Sequence, residues 1–82
     1  MVVELNEPVR VGAVFFRGAV TPVWFSRSGR QVRVREVTFS WATREGSARV
    51  LHFSASDGSA MFELCFNTTT LDWRLEQVED RS

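Results

Sequence analysis

The stretch Gln31–Trp41, QVRVREVTFSW, limits what this chain can fold into, because its apolar residues change sides partway along. Val32 and Val34 share one parity, while Val37, Phe39 and Trp41 share the other. Successive side chains of a strand point to opposite faces, so one flat strand cannot place both groups in a single core. A β-bulge at Arg35-Glu36 restores the inward face, bends the strand and strengthens its twist. The expectation is a strand that serves two sheet segments and folds the domain in half. Glu36, at the joint, is expected to pair with a neighbouring arginine or backbone amide and to hold the bend.

Turn chemistry sets the strands on either side. Ser28-Gly29 as a two-residue turn pairs Arg27 with Arg30, Phe25 with Val32 and Val23 with Val34, all the apolar partners on one face. The opposite face then carries Trp24 across from Arg33. Downstream, Arg44-Glu45-Gly46 as a three-residue loop places Phe39 opposite Leu51 and Val37 opposite Phe53. Asp57-Gly58 as a two-residue turn sets Phe53 against Phe62, Leu51 against Leu64 and Ala55 against Ala60. A four-residue loop Asn67–Thr70 sets Phe66 against Leu71, Leu64 against Trp73 and Phe62 against Leu75. The three loops yield one continuous apolar face, which predicts an antiparallel meander over Val37–Leu75. Val9–Phe16 reads as a further strand, with either a second bulge near Gly12 or burial on both sides. The fold class expected is all-β: about six antiparallel strands in a small bent barrel or β-roll, with the bulge at Arg35-Glu36. Residues 1–82 make one domain, with 1–7 and 79–82 as loose termini.

Size and composition fit that reading. A chain of 82 residues buries roughly 60–65% of its unfolded surface, and seven Phe and three Trp supply a core without staples. One cysteine excludes an internal disulfide, and no Cys/His spacing of a metal site occurs. No apolar run is long enough to span a membrane. The N-terminal MVVELNEPVR lacks the basic-then-apolar order of a signal peptide, so a cytoplasmic location is expected.

No constellation suits catalysis. In the expected register His52 lies opposite Glu63 with Cys65 diagonal to it, but flat neighbouring strands do not make three ligands converge. Ser54 and Asp57 lie along the strand and turn of His52, where no third group orients a triad. The glycines are spread over separate turns and form no phosphate cradle. The residues argue against an enzyme, a cofactor, a metal and a small-molecule substrate.

The charge is balanced but unevenly distributed. Between Pro8 and Arg35 there are six arginines and no acid, whereas Glu36–Ser82 holds eight acids and four arginines. Trp24, Arg27, Arg30, Arg33 and Arg35 on the first hairpin are the candidate binding residues. Trp and Arg are enriched at protein hot spots, and a stacking ring beside positive charge also suits single-stranded nucleic acid. Docking on a protein partner, or self-association through an unpaired edge strand, is the leading expectation. Nucleic-acid binding through Trp24, Arg33 and Arg35 is the alternative.

The order PVWFSRSGRQVRVREVTFSW, followed by AMFELCFNTTTLDWRLEQVED, resembles a bacterial domain family of unknown function. The matching positions are Pro22, Phe25, Gly29, Arg30, Val34, Glu36, Val37 and Trp41, then Phe62, Glu63, Leu64, Phe66, Asn67, Thr70, Trp73 and Leu75, over most of Pro22–Val78. Some members of that family lie beside, or form C-terminal parts of, proteins similar to Y-family translesion DNA polymerases. The resemblance implies an accessory module near DNA repair, without catalytic residues. Where the family often has an aromatic before Gly-Arg, this chain has Arg27-Ser28.

Overall fold

The computed structural model describes residues 1–80. It is all-β, with eight strands: β1 (Val2–Pro8), β2 (Val11–Phe16), β3 (Ala19–Arg27), β4 (Arg30–Arg33), β5 (Glu36–Glu45), β6 (Ala48–Ser56), β7 (Ala60–Asn67) and β8 (Trp73–Asp80). Every pairing is antiparallel. The strands form a five-stranded sheet, β1-β8-β7-β6-β5, and a three-stranded sheet, β2-β3-β4, which remain two open sheets and do not close into a barrel. There are eight strands because Met1–Glu7 is no loose arm and because Gln31–Trp41 divides into two.

That division falls between adjacent residues. Val34 donates its amide hydrogen to Val23 in the smaller sheet, and Arg35 donates its own to Ser56 in the larger. The bend expected at Arg35-Glu36 is therefore a crossing between sheets, and the bulge itself lies further on. Val37 pairs with Ala55 and Phe39 with Ser54, so Thr38 is the extra residue, its hydroxyl donating to the Ser54 carbonyl at 3.2 Å. Glu36 is exposed, and no ion pair holds it among the described residues.

The β5–β6 hairpin departs most from expectation. It closes through Gly46-Ser47, with Glu45 opposite Ala48, and Gly46 takes the positive φ of 63° that the first position of such a turn requires. Phe39 thus faces Ser54, not Leu51, and an offset of three residues turns it to the other side of the sheet. Phe39 is 64% exposed. On that outer face it stacks on Trp41 at 5.5 Å, and Trp41 stacks on His52 at 5.0 Å.

The next two hairpins slip by two residues beside their turns, which preserves the face; past a bulge at Glu76 the slip in β8 becomes three, and Phe62 faces Val78 instead of Leu75. Ala55 faces Phe62, Phe53 faces Leu64, and Leu51 faces Phe66; Leu64 faces Leu75 and Phe66 faces Trp73. The loops are longer than expected because side chains organise them. Asp57 Oδ1 accepts from the amides of Ser59 and Ala60, both at 2.8 Å. Asn67 Oδ1 accepts from Thr69 and Thr70. Leu71, expected inside, sits in the second loop at φ 64° and is 68% exposed.

The core lies between the sheets and comprises Phe25, Ala55, Phe62, Leu64, Leu75 and Val78. Phe25 and Phe62 meet edge to face at 4.9 Å and join one sheet to the other. β1 adds Leu5 to this core and pairs Val2, Val3 and Glu4 with Glu79, Val78 and Gln77 of β8. The loose-terminus expectation fails for 2–7 and for 79–80, which are strand, while 81–82 lie outside the described residues. In β2, the bulge expected near Gly12 is present: Gly12 faces Trp24 and Ala13 faces Pro22, leaving Val23 of β3 unpaired between them.

Candidate docking site on the arginine hairpin

The β3–β4 hairpin has the register its turn predicts. Ser28 and Gly29 adopt φ of 51° and 75°, both positive as a type I′ turn demands. Arg27 pairs with Arg30, Ser26 with Gln31, Phe25 with Val32 and Trp24 with Arg33. Phe25 is fully buried, so alternation turns Trp24, Ser26 and Arg33 to the outer face.

Trp24 is half-buried, and its indole lies directly on Gly12 of β2. A Cβ at Gly12 would come within 1.9 Å of Trp24 Nε1, so glycine is required there by close approach. One side of the ring is thereby covered. Arg33 makes no cation–π contact with it among the described residues, where the one such pair is Arg17 over Phe16 at 5.4 Å.

The predicted arginines divide between two open grooves that flank the hairpin tip. Trp24, Arg27 and Arg30 line a groove of about 650 Å³, joined by Arg10. Arg27, Arg30 and Arg33 line a second of about 470 Å³, with Asp57 on its wall. Arg35 is not brought in; its guanidinium lies over Gly58, with Nη1 2.9 Å from where a Cβ would stand. Arg10 is the residue that sequence reasoning missed. Its carbonyl accepts the Ser26 amide at 2.9 Å, which extends the β2–β3 ladder by one pair and sets Arg10 beside the hairpin.

The electrostatics are equally specific. Arg27 Nε lies 3.6 Å from Glu7 Oε1, and both side chains are partly exposed, which limits the pair to about 0–1 kcal/mol. Arg27 Nε is shielded from solvent and has no hydrogen-bond partner among the described residues. Asp57, on the other groove, has its carboxyl held below the ordinary carboxylate range, chiefly by the backbone amides of Ala60 and Ser59. The second groove therefore sets three guanidinium groups against one carboxylate, while no carboxylate lines the first.

The other sequence candidates fall on the outer face of the larger sheet. His52 faces Cys65, and Glu63 faces Ser54, so the expected His52–Glu63 pair is not formed. His52 Nε2 and Thr43 Oγ1 are hydrogen-bonded at 2.7 Å. Cys65 Sγ donates to Glu76 Oε1 at 3.0 Å; burial first, then that bond and the nearby Glu76 charge, pushes the thiol up to about 12. A thiol so placed is not a nucleophile at neutral pH. No group of three or more His, Cys, Asp or Glu side chains able to hold a metal occurs among the described residues. Nor, among them, is any helix long and apolar enough to cross a membrane.

No protein-family model, no curated protein and no solved structure matches the chain.

Proposed function

We propose that this protein is a non-catalytic interaction module that docks on a protein partner, gripping an acidic segment of it with the β3–β4 hairpin. The observation that carries this reading is that both grooves beside the hairpin tip are lined by arginines, with Arg27 and Arg30 common to the two. The Arg27–Glu7 contact is an internal instance of the recognition proposed, a carboxylate set against a guanidinium at the groove margin. The resemblance of Pro22–Val78 to the polymerase-associated family is what suggests a partner belonging to DNA repair.

Several features favour protein over nucleic acid. Nonspecific binders of single strands use a continuous basic track and free aromatic faces. Here the arginines lie on two sides of a hairpin, Trp24 spends one face on Gly12, and the chain carries no net charge.

The test is fluorescence anisotropy with a fluorescein-labelled glutamate-rich peptide at low and at physiological salt. The wild type should bind, more weakly as salt rises. Arg30→Glu combined with Arg33→Glu should lower affinity by about tenfold or more, while Arg44→Glu on β5 should not. Equal binding by the double variant, or no binding at low salt, overturns the proposal.

A further inference from the structure

The two sheets have four free edges, β1 and β5 in the larger and β2 and β4 in the smaller. Exposed edges invite pairing with another chain unless charges, proline, bulges or shortness protect them. β1 carries Glu4, Glu7 and Pro8 and a register shift between Glu4 and Glu7. β5 carries Glu36, Arg44 and Glu45 and the bulge at Thr38. β4 is four residues long with arginine at both ends. β2, VGAVFF, has no charge and no proline, and the bulge in its ladder belongs to β3. Its Val14, Phe15 and Phe16 are 52%, 61% and 66% exposed.

We propose that β2 is the docking edge for a second copy of this chain, whose own β2 adds antiparallel and joins the two small sheets into one. Phe16 and Ala19 flank the turn Arg17-Gly18, whose φ values of 50° and 79° are again those of type I′. The flanking pair of such a turn is hydrogen-bonded, so Phe16 and Val14 direct their backbone groups to β3, and Ala13 and Phe15 present theirs at the open edge. A two-fold axis through Val14 lets Ala13 of each copy pair with Phe15 of the other. On the outer face the same register sets Phe16 of each copy against the partly exposed Trp24 indole that covers Gly12 of the other. This aromatic contact is made twice by the two-fold axis, as an isologous interface requires, and a chain of zero net charge does not repel its copy. The surface shares Trp24 with the first groove and no residue with the second.

Light scattering across a concentration series reads the outcome. The wild type should approach twice its mass of 9.4 kDa. Val14→Lys should remain at the single-chain mass with unchanged circular dichroism, and Phe39→Lys, on the protected β5 edge, should still dimerise. Val14→Cys supplies an independent reading, because a non-hydrogen-bonded pair brings its Cα atoms to about 4.5 Å, within disulfide reach. Oxidised Val14→Cys should run as a covalent dimer, while the buried native Cys65 should not crosslink. A wild type that stays monomeric throughout, a dimer that survives Val14→Lys, or a Val14→Cys dimer that does not crosslink overturns the proposal.

Discussion

Val34 and Arg35 are neighbours in the chain, yet their amides bond to different sheets, Val34 to Val23 at 3.0 Å and Arg35 to Ser56 at 2.7 Å. The fold turns on that pair. It sends the arginine hairpin to one side and the long meander to the other.

Removing the Arg35 amide should therefore cost stability, and removing the Glu36 carboxylate should not. Arg35→Pro loses its bond to Ser56 and leaves that carbonyl unpaired, a cost of about 1–3 kcal/mol. Glu36→Ala, at an exposed position, should stay within about 0.5 kcal/mol of wild type. Urea denaturation midpoints check both, and a large loss on Glu36→Ala would reinstate that residue as the holder of the bend.

Phe39 and Phe62 separate the observed register from the one read in the sequence. Phe39 stacks on Trp41 at the surface, so Phe39→Ala should cost no more than about 1.5 kcal/mol. Phe62, which packs on Phe25 in the core, should cost about 3–5 kcal/mol on truncation to alanine. Comparable losses in thermal melts would place Phe39 inside after all.

Gly12→Ala should force the Trp24 indole off β2, because the added methyl overlaps the ring. Overpacking of this kind costs about 1–3 kcal/mol. The indole N–H resonance of Trp24 should move in a proton–nitrogen correlation spectrum; an unmoved resonance would show that the ring does not rest on Gly12.

Cys65 predicts an alkaline loss of stability. Its thiol is raised in the folded state from 9.0 to about 12, so between those values the unfolded chain binds fewer protons than the folded one. The stabilisation is complete below pH 9 and fades as pH rises towards 12. The chain has no tyrosine and no lysine, so no other side chain ordinarily titrates in that window. Urea midpoints of wild type should fall there, and those of Cys65→Ala should not.

How much was legible follows from the period of two in a strand. The arginine hairpin could be read in full, since Ser28-Gly29 and the match of Phe25 to Val32 point to one register. The inner face of β6–β8 was legible up to Leu75 although both of its hairpins slipped, because a slip of two residues keeps a side chain on its side; Val78, past the bulge at Glu76, was not. Phe39 and Trp41 were misplaced because Gly46 opens a two-residue turn instead of closing a three-residue loop, a shift of three residues; the bulge at Thr38 then cuts the shift to two at Val37. β1 was missed because only Leu5 reaches the core; the strand is held mainly by backbone pairing to a segment some seventy residues away. With β1 unseen, the Glu7 carboxylate beside Arg27 could not be anticipated.

Mapping the docking face by nuclear magnetic resonance tests the central claim most directly. Backbone amide shifts would be followed while a glutamate-rich peptide, and separately an oligothymidine, is added at physiological salt. Shifts confined to Arg10 and Ser26–Arg33, with the peptide bound about tenfold more tightly than the oligothymidine, are the predicted result. Tighter binding of the oligothymidine, or peptide shifts centred on Phe39–Trp41 instead of the hairpin, would contradict it.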